Sequence, residues 1–307
     1  MIVALVGATA TGKTALALAL AARAPIEVVS LDSVQVYRGL DIGSAKPTLD
    51  ERRALPHHLV DVVEPDARFS AADWLHAART TIAEIRGRGR VPLVVGGTGL
   101  YWRALTEGLA ELPPADDALR ARLAADEEAA PGTLHARLTS VDPTSAARIA
   151  PRDLVRLVRA LEVHELSGVP LSRHHETQAR SAEPVTTVFL DRPDDELRAS
   201  IDRRARQMIA DGLVEEARAT RRRYGPVRPL DAVGYKQALD DSLTAASLPA
   251  AIATATWQFA RRQRTWFKKS GAALDAAAAS SRLLELLDDA RESPAGGRVE
   301  EPDRGDG

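Results

Sequence analysis

IVALVGATATGKTALALALAA, residues 2–22, decides the fold. Residues 2–6 are an apolar run rich in β-branched side chains. Residues 7–14 match G-x-x-x-x-G-K-[ST], and an alanine–leucine run follows. Strand, glycine-bounded loop and helix in that order are the context of a phosphate-binding P-loop. Gly7 and Gly12 permit the tight backbone that turns successive N–H groups into one concavity. The helix N-terminus adds its dipole and free amides at the same point. Lys13 supplies a point charge, and the Thr14 hydroxyl is placed for Mg²⁺. Gly7, Ala8, Thr9, Ala10, Thr11, Gly12, Lys13 and Thr14 are therefore read as a cradle for a phosphate or diphosphate. The loop alone does not choose the reaction.

Composition bounds the rest. The chain has 307 residues, 45% of them apolar, and a net charge of −2. A core can be buried, and the overall charge is not of the kind that marks a polyanion binder. It has no cysteine, which excludes disulfides and zinc–thiolate sites. Met1 enters the first strand with no basic leader before it. No apolar run approaches the roughly twenty residues of a membrane span. A soluble cytoplasmic monomer without membrane contact is expected.

Outward from the loop, the pattern alternates strands and helices, which predicts an α/β fold. Residues 27–31 (EVVSL) read as a second buried strand ended by Asp32. In a parallel sheet the strand ends share one crevice, so Asp32 comes close to the loop. Capping of the following turn explains an aspartate there equally well. His57 and His58 adjoin a third predicted strand at 59–63 (LVDVV). Adjacent residues of an extended chain point oppositely, so the two histidines do not form a metal pair. Ser70-x-x-Asp73 has the form of a capping box and predicts a helix over 71–86. A fourth strand over 91–95 ends in Gly96-Gly97-Thr98-Gly99.

At Leu112 the composition changes. Residues 112–183 read as a helical insertion in a core formed by 1–111 and 184–290, and 291–307 as a disordered tail. On the insertion's last helix, over 152–166, Arg152, Arg156 and Arg159 share a face, which is either solvated or in contact with phosphate. After a strand at 185–190, Leu197, Ile201, Arg204 and Met208 form one helical stripe. Arg204 therefore points inward and needs an anion, either a core carboxylate or a ligand phosphate. A last predicted helix, 250–269, places Arg261, Arg264 and Lys268 on one face with Trp257. Residues 256–269 carry five basic side chains and no acidic one. Basic charge interleaved with Trp257, Phe259, Trp266 and Phe267 is the composition of a nucleic-acid contact, against a plain solvated face.

GATATGKT (7–14), LDSVQVYRGLDIGSAKPT (31–48), PHHLVDVVEP (56–65), GGTGLY (96–101), RALEV (159–163), VGYKQ (233–237) and RRQRTWF (261–267) stand in the order found in bacterial tRNA dimethylallyltransferases. The chain resembles that family up to about residue 270. It departs at Ala8, where the family usually has proline, and at Thr11, where serine is frequent. The resemblance implies a P-loop NTPase-like parallel sheet core with a helical insertion and C-terminal helices. It implies transfer of a dimethylallyl group from dimethylallyl diphosphate to N6 of adenosine 37, beside the tRNA anticodon, with Mg²⁺ at Thr14. Asp32 matches the general base and Arg204 the diphosphate-binding arginine, and Thr9 joins them in the catalytic set. Asp32, Ser33, Val34 and Gln35, together with Val155, Arg156, Leu157, Val158 and Arg159, match tRNA-contacting segments. Three rivals stay open on the residues alone: a kinase on the same core, a prenyltransferase acting on free adenine nucleotides, and a non-enzymatic RNA-binding ATP switch.

Overall fold

The computed structural model describes residues 1–176 and 183–292. Chain order is β1 (Ile2–Gly7), α1 (Lys13–Ala21), β2 (Ile26–Leu31), α2 (Leu49–Ala54), β3 (His57–His58), α3 (Ala71–Gly87), β4 (Val91–Gly96), α4 (Gly99–Glu107), α5 (Asp117–Ala129), α6 (Thr133–Val141), α7 (Pro143–Ala146), α8 (Leu154–Ser167), α9 (Leu171–Glu176), β5 (Val185–Leu190), α10 (Asp194–Ala210), α11 (Leu213–Tyr224), α12 (Tyr235–Ala238), α13 (Leu248–Phe267), β6 (Ala273–Leu274) and α14 (Ala276–Glu292). It falls into two compact units, Met1–Thr106 with Glu183–Gly307, and Glu107–Ala182.

The first unit is built on one six-stranded sheet in the order β3-β2-β4-β1-β5-β6, with every pairing parallel. Strands β1, β2 and β4 are buried along their whole length. A strand covered on both faces reads as a continuous apolar run, which is why these strands show no alternation in the sequence. Helices α1 and α14 cover the face bearing Val3, Leu5, Val28 and Leu93. Helix α3 starts at a closed capping box of Ser70 and Asp73. Its Trp74 indole donates to the Ser30 carbonyl at 2.9 Å. Register aligns Leu31 with Gly96, Val6 with Gly96, and Gly7 with Leu190. The P-loop, Asp32, the glycine turn and Asp191 therefore all leave the sheet at one edge. The second unit is helical, with its own core of Leu123, Leu134, Leu138, Leu157 and Leu161.

Four sequence readings change. Residues 59–63 are not a strand: Leu59 and Asp61 take positive φ of 60° and 59°. Asp61 is held there by Lys46 and Arg52 at 2.6 and 2.7 Å. Only Val63 keeps a bridge, to Tyr37. Helix α8 begins at Leu154 behind an Asp153 cap, so Arg152 lies outside it. Helix α14, unread in the sequence, buries Ala279, Leu283, Leu286 and Leu287. It takes in Arg291 and Glu292, and the rest of the expected tail, 293–307, lies outside the described residues.

Candidate active site

The P-loop is shaped by its surroundings. A Cβ on Gly7 would lie 2.4 Å from the Leu190 carbonyl oxygen, so only glycine permits β1 and β5 to approach as they do. Gly12 has φ 97° and Ala10 φ 64°. The Ala10 carbonyl accepts from the Ser200 hydroxyl at 3.2 Å and the Thr11 carbonyl from Arg192 at 2.9 Å. These contacts from β5 and α10 hold a backbone conformation that non-glycine residues rarely take. Lys13 Nζ folds back onto the Gly7 and Ala8 carbonyls at 3.0 and 2.7 Å. An ammonium has three donors, so one is left for a ligand.

Arg204, on the α10 face that buries Leu197, Ile201 and Ala205, donates to the Thr9 hydroxyl at 3.2 Å. Asp32 Oδ1 accepts from the Val34 and Gln35 amides at 2.8 and 3.1 Å. One carboxylate oxygen thus does the capping that the sequence left open, and no hydrogen bond from a described residue reaches Oδ2. Burial, then the Arg204 charge, push the Lys13 ammonium down to about 7, with Asp32 in partial opposition. Burial lowers Arg204 as well, again opposed by Asp32. Two cations thus face one carboxylate, an arrangement suited to a ligand carrying several negative charges.

Gln263 was not read as functional. It is buried, its Oε1 accepts from the Thr9 amide at 2.8 Å, and its Nε2 donates to the Gly97 carbonyl at 2.8 Å. It ties the P-loop to the glycine turn. A Cβ on Gly97 would lie 2.4 Å from Gln263 Nε2, and one on Gly99 would lie 2.7 Å from the Trp266 ring. The turn is glycine-rich because α13 presses into it. Ser33 donates from its amide to Thr98 Oγ1 at 3.1 Å, which joins the Asp32 turn to the same place. The Gln35 side chain is tied to Ser30, Ser44 and Ala45.

Several expected tRNA-contacting side chains are engaged elsewhere. Arg264, 13% exposed, pairs with Asp191 and Asp194 and donates to the Arg192 carbonyl. It fixes α13 to the end of β5 and is not a surface cation. Phe267 is core, packed with Trp102 and Phe189, and Trp257 lies under Arg198 at 3.7 Å. Those aromatics are not a platform for bases. Arg261 and Lys268 remain exposed. In the second unit, Leu157 and Val158 are core, while Arg159 binds Glu162 and the Pro113 carbonyl. Val155 and Arg156 are the outward members of that segment. His58 engages Glu27 at 2.6 Å and His57 the Leu55 carbonyl at 2.7 Å. Among the described residues no three His, Asp or Glu side chains gather as a metal cage. The Thr14 hydroxyl, at the head of α1, is bonded to no described residue, so a hard oxygen donor stands free beside the phosphate cradle.

An IPP transferase family profile matches residues 35–270, and an isopentenyl transferase profile matches residues 1–60. A tRNA dimethylallyltransferase of Methylibium petroleiphilum is 47% identical, covering 95% of each chain. One from Anaeromyxobacter dehalogenans is 48% identical over 86% of this chain and 90% of its own. Among solved structures, a tRNA isopentenylpyrophosphate transferase of Bacillus halodurans superposes with TM-score 0.67 at 35% identity, covering 95% and 96% of the two chains. A eukaryotic dimethylallyltransferase acting on tRNA superposes with TM-score 0.77 at 25% identity, over 94% of this chain and 78% of the other.

Proposed function

The chain belongs to the IPP transferase family, and from that premise we propose how its residues transfer a dimethylallyl group to tRNA. The acceptor is N6 of adenosine 37, next to the anticodon, and the product is N6-(dimethylallyl)adenosine. The donor is dimethylallyl diphosphate. The observation that carries the assignment of roles is the convergence of Lys13, Arg204 and the free oxygen of Asp32 on one sheet edge.

An exocyclic adenine amine is a weak nucleophile, because its lone pair is delocalised into the ring. As N6 attacks C1 of the donor, the C1–O bond breaks and its electron pair leaves with diphosphate. Asp32 Oδ2 accepts the N6 proton as positive charge develops on nitrogen. Oδ1, held by two amides, keeps the carboxylate oriented. The loop amides other than that of Thr9, which Gln263 holds, together with Lys13 and Arg204 stabilise the leaving diphosphate, and they cost no reorganisation at the moment of reaction. Arg204 reaches Thr9 as well, so the Thr9 hydroxyl sets where the guanidinium sits.

Magnesium fits the donor set, since it favours one or two protein oxygens together with phosphate and water. Thr14 would hold it, and when bound it neutralises diphosphate charge. The base must leave the anticodon stack to present N6, which a single-stranded loop allows at low cost. Ser33, Val34 and Gln35 at the site, Val155 and Arg156 in the helical unit, and Arg261 and Lys268 on α13 are the proposed RNA contacts. No described helix is long and apolar enough to cross a membrane, and we place the enzyme in the cytoplasm as a monomer.

The test is mass spectrometry of anticodon-loop nucleosides after incubation with dimethylallyl diphosphate, Mg²⁺ and unmodified tRNA. Prenylated adenosine without any nucleoside triphosphate is the expected result. Product on free AMP and not on tRNA, or stoichiometric phosphate release from ATP, would overturn the reading.

A further inference from the structure

Between residues 218 and 228 the chain carries five arginines and no acidic residue. All five, Arg218, Arg221, Arg222, Arg223 and Arg228, are exposed. Helix α11 buries Leu213, Ala217 and Thr220 at i, i+4 and i+7. Arg218 and Arg222 therefore stand on the side away from the core, with Arg221 and Arg223 on its flanks. Among the described residues none of the five forms an ion pair, whereas Arg38, Arg52, Arg86, Arg120, Arg137 and Arg264 are all paired. Arg223 lies over the Tyr224 ring at 4.9 Å. The acid beside it, Glu64, is already occupied by the Tyr224 hydroxyl at 2.6 Å and Arg38 at 3.1 Å. Asp66 and Asp231 lie nearby. Helix α11 itself carries Glu216, which is taken by the Asp41, Ile42 and Gly43 amides and the Tyr235 hydroxyl. It also carries the exposed Glu215, three residues before Arg218 and not in an ion pair with it.

Folding alone does not account for this run. Like charges at i and i+4, as at Arg218 and Arg222, destabilise a helix by a few tenths of a kcal/mol. The helix dipole favours cations only in the last turn. It explains Arg221, Arg222 and Arg223, but neither Arg218 nor Arg228, which lies beyond the helix in a one-turn 3₁₀ helix, Arg228–Asp231. Arg228 has a different set of neighbours. Its charge acts on the buried phenols of Tyr37 and Tyr101, and the Asp32 carboxylate acts on Tyr101 as well. Leu230, two residues beyond Arg228, packs in one core with Tyr37 and with Leu213 and Ala217 of α11, so the unpaired arginines run from the outer face of α11 toward the rim formed by the turn after Asp32. A chain of negative charge arriving at that rim is the phosphate backbone of the acceptor itself.

We propose that Arg218, Arg221, Arg222 and Arg228 form a phosphate-tracking surface that seats the backbone of tRNA beside the nucleotide presented to Asp32. It rests on the tRNA reading above. The guanidinium fork pairs with phosphate oxygens bidentately and reads no base, so the surface fixes register and not sequence.

The experiment measures the dissociation constant of unmodified tRNA against salt concentration for the full chain and for R218Q/R221Q/R222Q and R228Q. The log–log slope is expected to fall by roughly 0.7–0.9 for each arginine removed. The KM for dimethylallyl diphosphate at saturating tRNA and the melting temperature are expected to stay at the wild-type values, which a merely structural role would not allow. A wild-type slope in both variants overturns the surface. If the wild-type chain yields no prenylated tRNA, the function reading fails first, so the two failures are separate.

Discussion

Two charge clusters in this molecule, one around a buried carboxylate and one half-buried, follow opposite rules. In the helical unit, Glu162 is wholly buried and fully matched: Arg120 at 2.8 and 3.0 Å, Arg159, and the Asp116 amide at 2.8 Å surround it. At the sheet edge, Lys13 and Arg204 share a pocket with one carboxylate and have no ion pair at bonding distance among the described residues. The first cluster is complete without a ligand. The second is left short of negative charge, and each cation there is pushed toward its neutral form. The difference separates a charge matched within the fold from one that the described residues leave unmatched.

The largest effect expected at the sheet edge is from Asp32→Asn. It keeps the shape and one acceptor oxygen but not the base, and should lower single-turnover prenylation by about 10²–10⁴-fold with tRNA affinity unchanged. A near-normal rate would leave Asp32 as a cap only. At the matched cluster the loss is of stability. Glu162→Ala leaves two partly exposed arginines and the Asp116 amide without their partner and should cost about 1–3 kcal/mol in urea unfolding. A neutral result would break the comparison. Lys13→Ala and Arg204→Ala should each remove about 3 kcal/mol of transition-state stabilisation. Both should leave unfolding stability unchanged or raised, because each relieves an unmatched cation. The double variant should lose less than the sum, since both groups act on one leaving group.

Smaller effects sharpen the contrast. Gln263→Leu leaves the Thr9 amide and the Gly97 carbonyl without partners, each worth about 1–3 kcal/mol when buried. Donor KM should rise and tRNA affinity should hold, whereas a role in packing alone would lower the melting temperature without changing KM. Acid should separate the two clusters as well. Burial alone would raise Glu162, but the hydrogen bonds from Arg120 and Arg159 hold it below its ordinary 4.5. A carboxyl depressed in the folded state stabilises fully above its unfolded value, and that stability is lost as pH falls below about 4.5. Acid unfolding of the helical unit should therefore flatten in Glu162→Gln.

Much of the fold was legible because its signals are local. The strand–loop–helix at residues 2–22, the Ser70–Asp73 cap and the inward stripe at Arg204 each lie within a few turns of chain. The third strand misread at 59–63 looked apolar, but Asp61 is drawn out of line by Lys46 and Arg52, which come from other segments. Helix α14 was overlooked although Asp275 caps it, its Oδ1 accepting from the Ala278 amide at 2.8 Å, because its alanine-rich first turns hide the apolar stripe that the sheet face buries. Of the candidate site, the loop conformation and the place of Asp32 at the same sheet edge could be read from the sequence, whereas the Gln263 contacts to Thr9 and Gly97 could not. A buried glutamine in a basic helix gives no sign of what its amide reaches.

The sequence by itself determined that a glycine-bounded strand–loop–helix opens a parallel α/β core, that a helical segment interrupts it, and that an arginine turns inward toward that loop. Periodicity, turn chemistry and motif spacing are properties of neighbouring residues, so they survive reading in one dimension. Only the tertiary structure decided which cations are spent and which are free. Arg264 looked like a surface contact and is locked by Asp191 and Asp194, some seventy residues away. Arg218 and Arg228, which nothing in the sequence singled out, form no ion pair among the described residues. Charge compensation acts through space and not along the chain, and a pairing of that range leaves no trace in local spacing.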